Sequence, residues 1–332
     1  LRKKPLEGSK LTTISALDVI SEDLERVEQK MRRSLETPDK YLSDVLIYIL
    51  ESGGKRLRPA LALLAAKFGQ ADIEKASSLA GATELLHTAT LVHDDLIDSS
   101  LLRRGQTTLN AQWSGGATVL AGDLLFAQAA VLVAETDDVL IISNFAQTLG
   151  VICRGELTQL FAQPWREQTK EDYYDRIYSK TASLIAMATE SGGILAGLPE
   201  DQVSSLREYG RNLGMAFQII DDVLDFVGDE EQLGKPVGSD LRQGTITLPA
   251  MYFAWQNPDD ELLHRVLDRQ EKSDEAIADI VSRIAQSDAI QTTLDEAQDF
   301  VRKGKEAMEN LPDHPSKEAM LTLANYVVER KV

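Results

Sequence analysis

Residues 85–98 read LLHTATLVHDDLID and set three carboxylates inside an otherwise apolar run. On a helix Asp94 and Asp98 share a face, with Asp95 about 100° round from Asp94. Two carboxylates roughly 6 Å apart repel by about 2–3 kcal/mol at an effective dielectric near 20, so the arrangement needs a counterion. An acidic pair is ordinarily a solvated face. Here the neighbours argue otherwise: Thr83, His87 and Thr90 fall within about 40° of Asp94, while Leu85, Leu91, Val92, Leu96 and Ile97 pack elsewhere. A polar stripe in an apolar helix suits a cavity wall. His93 lies just off the stripe and is expected to pack.

A second cluster, FQIIDDVLDF at 217–226, repeats the pattern, with Gln218, Asp221, Asp222 and Asp225 at i, i+3, i+4 and i+7. If the two helices face each other, up to six carboxylates surround one space. Such an oxygen-rich set suits Mg²⁺, which keeps several waters and prefers a few carboxylates plus substrate phosphates. Cations are supplied in a matching style. GGKRLRP at 53–59 carries Lys55, Arg56 and Arg58; Arg103 and Arg104 precede Gly105; Lys180 and Thr181 adjoin; and LGKPVGSD spans 233–240. Lys and Arg in glycine-rich loops read as a phosphate cradle, because backbone and guanidinium can both reach phosphate oxygens.

These groups need elements to hold them. Apolar residues recur three or four apart almost throughout, as in Leu17, Ile20, Leu24, Val27 and Met31, and strand-like alternation is scarce. The spacing predicts helices over 14–34, 40–52, 59–69, 72–98, 117–134, 138–161, 170–197, 199–227, 246–256, 258–268, 272–286, 288–311 and 316–330. The fold class is all-α, a single domain over 14–332 after a disordered segment at 1–13. The longest structureless stretch, Gly228 to Gly244, is expected to be functional.

Composition narrows the classes further. Among 332 residues, 53 acidic against 35 basic side chains give a net charge of -18, which argues against bulk nucleic acid as the partner. The lone Cys153 builds no disulfide framework and is expected to pack in the core. No apolar run approaches the roughly 20 residues that cross a bilayer, and no apolar signal core follows the opening LRKKPLEGSK, so a cytoplasmic protein is expected.

In order and spacing, GGKRLRP, DDLID with its downstream LRRG, the GD at 122–123, KTASL at 180–184 and the stretch from FQIIDD to GKPVGSD resemble the trans-isoprenyl diphosphate synthases, also called polyprenyl synthetases. The resemblance covers about residues 14–330. It implies a single-domain helical bundle around a deep central cavity, the isoprenoid synthase fold, as a homodimer. It further implies that Asp94, Asp98 and Asp221 ligate Mg²⁺ while Asp95, Asp222 and Asp225 close the site. By the same similarity Lys55, Arg58, His87 and Arg104 hold isopentenyl diphosphate, and Arg103, Lys180, Thr181, Gln218 and Lys235 hold the allylic diphosphate.

The implied reaction is ionisation of the allylic carbon–oxygen bond, attack by the isopentenyl double bond and loss of a proton. No protein nucleophile is required. Product length then follows cavity depth. By the same resemblance Ala89 and Thr90 stand where short-chain relatives carry aromatics as a floor, and DDLID lacks the two-residue insertion of many bacterial short-chain enzymes, so a long product of roughly six to ten isoprene units is implied. Thr90 shares the Asp94 stripe and Ala89 does not. One departure is GTITLP, with Thr245 where the family often has lysine. Alternatives are a shorter-chain synthase, a class I terpene cyclase, disfavoured by 6% aromatics, and a non-catalytic subunit of a heteromeric synthase. A lipid product also implies peripheral membrane contact at release.

Overall fold

A computed structural model describes residues 17–51, 56–103, 106–161, 165–228 and 237–329. Within them the chain is helical nearly throughout. After a 3₁₀ turn at Asp18–Ile20 come α1 (Ser21–Ser34), α2 (Lys40–Glu51), α3 (Leu57–Ala66) and α4 (Ile73–Ile97). A two-residue antiparallel pairing, β1 (Leu102–Arg103) with β2 (Gln106–Thr107), leads to the single turn α5 (Leu109–Gln112). Next are α6 (Gly115–Ala134), α7 (Val139–Leu160) and α8 (Lys170–Ile177), followed by a π-helical turn at Tyr178–Ala182 that runs directly into α9 (Ser183–Leu195). The chain continues through α10 (Glu200–Val227), α11 (Ser239–Gln243), α12 (Leu248–Gln256), α13 (Glu261–Leu267), α14 (Asp274–Ala285), α15 (Asp288–Ala307) and α16 (Pro315–Glu329).

One contiguous apolar core runs from Ile20 to Val327. Its thickest seams are α4 against α6, α10 against α15, and α9 against both α3 and α10. Local chemistry sets the ends. Asp72 caps α4 by accepting from the amides of Glu74 and Lys75, Ser114 starts α6 two residues earlier than periodicity predicts, and Thr169 with Asp172 closes a capping box on α8.

The helix expected over 170–197 is interrupted because the π turn is clamped from two sides. A Cβ on Gly155 of α7 would stand 2.4 Å from the Cβ of Ser179, and one on Gly214 of α10 would stand 2.5 Å from the Cα of Ala182. Only glycine lets both helices approach the turn this closely. The stretch 228–244 is likewise not structureless: Asp225 accepts from Ser239 Oγ at 2.6 Å and from the Asp240 amide at 3.1 Å, seeding α11, while 229–236 and the expected disordered segment at 1–13 lie outside the described residues.

Two further expectations are corrected. Cys153 is exposed on α7 rather than packed. Also, α6 is 20 residues long and apolar enough to cross a membrane by length and composition; Asp123 and its many small residues hide this in the sequence. Only 39% of its apolar stretch is buried, and the exposed residues include Val119, Leu120 and Val131. On α7, Val139, Leu140, Leu157 and Leu160 are exposed as well.

Candidate active site

Both acidic clusters occupy the last turns of long helices. Helix α4 ends at Ile97 with Asp98 as its C-cap, and α10 ends two residues beyond Asp225. The C-terminal end of a helix carries partial negative charge, so carboxylates there are disfavoured without cations. Asp94 Oδ2 meets Lys180 Nζ at 3.3 Å. Asp95 is turned inward, where Arg103 Nε donates to its Oδ1 at 2.7 Å. Burial lifts the Asp95 carboxyl above the usual range, with Arg103 opposing. Asp98 is exposed, and desolvation lifts it too, against Lys180.

In the second cluster Asp222 accepts from Tyr173 Oη at 2.7 Å and from Gln218 Nε2 at 2.9 Å. Burial above all, helped by the Asp240 charge, pushes Asp222 up to about 7. Tyr173 is itself fixed by Arg176, which stacks over its ring and donates to the Ile246 carbonyl at 2.5 Å. Asp225 is held by α11, and Asp221 is half-buried.

The π turn joins the clusters. Lys180 reaches Asp94 on α4, while its neighbour Thr181 donates from Oγ1 to Gln218 Oε1 on α10 at 2.8 Å. Adjacent residues thus touch opposing acidic helices, which puts both clusters on one site. A third helix enters as well: Glu156 Oε1 of α7 lies 2.9 Å from Lys180 Nζ. Burial lifts Glu156 above the usual carboxylate range, and Lys180 counters it. Burial pulls the Lys180 ammonium down, but Asp94 and Glu156 outweigh that and hold it above the ordinary lysine range. Glu156 carries no signal in the sequence, because its partner is distant along the chain.

Of the other expected site residues, Arg58 lies half-buried in the first turn of α3, and His87 half-buried on α4 with its carbonyl accepting from Thr90 Oγ1 at 2.7 Å. Thr90 is half-buried, whereas Ala89 is fully buried in the core, so the helix wheel separates them as expected. Arg56 is not part of a phosphate cradle. It turns inward to Glu28, to Glu84 at 2.9 Å and to the Leu50 carbonyl at 2.9 Å, and pins α1, α2 and α4 together. His93 packs, meeting the Val119 carbonyl at 3.1 Å and Phe126 edge-on. Lys55, Arg104 and Lys235 lie outside the described residues.

Among the described residues no three acidic, imidazole or thiol groups form a ready cage for a metal ion. The donors nonetheless fit a hard divalent cation. They are all carboxylates, Asp98 is exposed, and a lysine has been drawn into the first cluster against Asp94 as a cation would be. A set completed by water and phosphate oxygens is how Mg²⁺ and Ca²⁺ are bound beside diphosphates.

The sequence matches the family described as polyprenyl synthetase over residues 39–284. The chain is a polyprenyl synthetase. It is 38% identical over 94% of its length to heptaprenyl diphosphate synthase component 2 of Geobacillus stearothermophilus, covering 97% of that protein. It is 34% identical to the octaprenyl diphosphate synthase of Escherichia coli, covering 94% of this chain and 97% of that one. A solved polyprenyl synthase from Caulobacter crescentus, complexed with calcium and isoprenyl diphosphate, superposes with a TM-score of 0.91 at 35% identity, covering 96% of this chain and 98% of that one. The all-α isoprenoid synthase fold and the trans-prenyltransferase activity follow from family membership, as does metal-dependent use of allylic and isopentenyl diphosphates.

Proposed function

We propose that this polyprenyl synthetase condenses an allylic diphosphate with successive isopentenyl diphosphates, in the presence of Mg²⁺, to a long all-trans polyprenyl diphosphate of roughly six to ten isoprene units. The observation that carries the reading is the π turn, whose neighbouring Lys180 and Thr181 tie the two acidic helices into one site. Asp94, Asp98 and Asp221 would hold the divalent ions. Bound there, Mg²⁺ would supply charge neutralisation for a departing diphosphate.

The chain's own residues do the rest. Tyr173 and Gln218 fix the Asp222 carboxylate, and α11 fixes Asp225, so these two acids of the second cluster are preorganised. Lys180 brings an ammonium whose charge favours the leaving group, and Arg103, seated on Asp95, adds a second cation beside it. Lys55, Arg58, His87 and Arg104 are the proposed holders of isopentenyl diphosphate, and Lys235 joins those of the allylic diphosphate. Thr245 at the often-lysine position leaves Lys180, Lys235 and Arg103 as the allylic-side cations.

A second copy of the chain is the proposed partner for the apolar side of α6 and α7, where Leu120 is 69% and Val139 84% exposed. The relative named as component 2 makes a different subunit the competing occupant. We place the enzyme in the cytoplasm, with peripheral membrane contact when product leaves. Incubation with isopentenyl diphosphate and each short allylic diphosphate, with and without Mg²⁺, tests the reading. A ladder of products ending at one long species supports it; cyclic hydrocarbons, or no elongation by the isolated chain, would overturn it.

A further inference from the structure

Glu156 lies outside both aspartate clusters, yet it is the nearer of the two carboxylates on Lys180: 2.9 Å against 3.3 Å for Asp94. Its side chain is only 17% exposed. Its position is fixed by backbone, since Gly155 beside it seats α7 directly on Ser179 of the π turn. The ammonium has three donors and divides them between an acid on α4 and an acid on α7. A partly enclosed cation keeps an anionic partner because an unpaired charge there is costly. Without Glu156, Lys180 would turn wholly to Asp94 and occupy it with a fixed positive charge.

We infer that Glu156 is a positioning residue that draws Lys180 off Asp94 and so keeps Asp94 available to a divalent cation. The inference rests on the proposed reading of Asp94 as a cation ligand. It also explains why a lysine can sit against the first cluster without blocking it: the ammonium has a second anion to retire to and stays tethered in the site.

The test is direct Mn²⁺ binding, followed by loss of the free-ion electron paramagnetic resonance signal, on the full chain with an allylic thiolodiphosphate that does not ionise. Glu156→Gln keeps the size and an oxygen acceptor but removes the charge, and should bind Mn²⁺ about tenfold more weakly at an unchanged thermal midpoint. Glu156→Asp should recover most of the loss. In a Lys180→Met background the competitor is gone, and Glu156→Gln should then change affinity by less than about twofold. Wild-type affinity in Glu156→Gln, or the full tenfold loss persisting beside Lys180→Met, would overturn the role of Glu156. If Asp94→Ala bound Mn²⁺ as wild type, the cation reading of Asp94 would fall and take this inference with it. A defective Asp94→Ala beside a normal Glu156→Gln would remove only the inference.

Discussion

Asp94 stands at the end of a helix, beside Asp98, with one shared lysine to offset its charge. Removing it relieves repulsion and leaves Lys180 paired to Glu156, so the fold should hardly notice. Asp94→Ala is therefore expected to lower turnover by about 100-fold or more while leaving the thermal midpoint close to wild type, measured by product formation and calorimetry on the same preparation. Thr90 differs from its neighbour in a way that bears on specificity. Ala89 has no exposed surface and Thr90 has some, so a larger side chain at 90 reaches space while one at 89 meets packed core. Thr90→Phe should shorten the product with little loss of stability, read by chain-length analysis; an unchanged distribution would place the floor elsewhere. Ala89→Phe should instead cost about 1–3 kcal/mol of stability by overpacking, seen in chemical denaturation.

Among the elements, long helices were legible because each buries one face, and that periodicity survives in sequence whatever the partner is. The polar stripe of α4 and the i, i+3, i+4, i+7 acids of α10 were legible for the same reason. The interruption at 178–182 was not, because nothing in YSKTA marks it. Its cause is two glycines on other helices, and a contact between distant residues leaves no local trace. Glu156 and Arg56 were hidden likewise: one gains a role from Lys180, the other loses its expected role to Glu28 and Glu84. The clamp makes a prediction at this scale. Gly214→Val would force its side chain into the backbone of Ala182, so it should cost about 1–3 kcal/mol and lower turnover further than the stability loss alone would. Denaturation midpoints compared with turnover at saturating substrate separate the two effects.

As a whole the molecule carries a charge of -18, and α6 and α7 expose a group of large apolar side chains. Pairing two copies there would bury that group but bring like charges together, and salt screens such repulsion. Self-association should therefore tighten as ionic strength rises, and Leu120→Glu with Val131→Glu should abolish it, both visible by light scattering. A protein that stays monomeric at every salt concentration would instead point to a different subunit.

The π turn has a consequence for tolerance. A helix is a screw, and one surplus residue in a turn rotates everything after it by about 100°. The aim of Lys180 and Thr181 towards opposite walls thus depends on how many residues the turn holds, more than on which ones fill its remaining places. Random change in this stretch should be read very differently by letter and by length: many replacements at Tyr178 would leave an active enzyme, whereas loss of any single residue between 178 and 182 would rewind α9 against α8 and silence it.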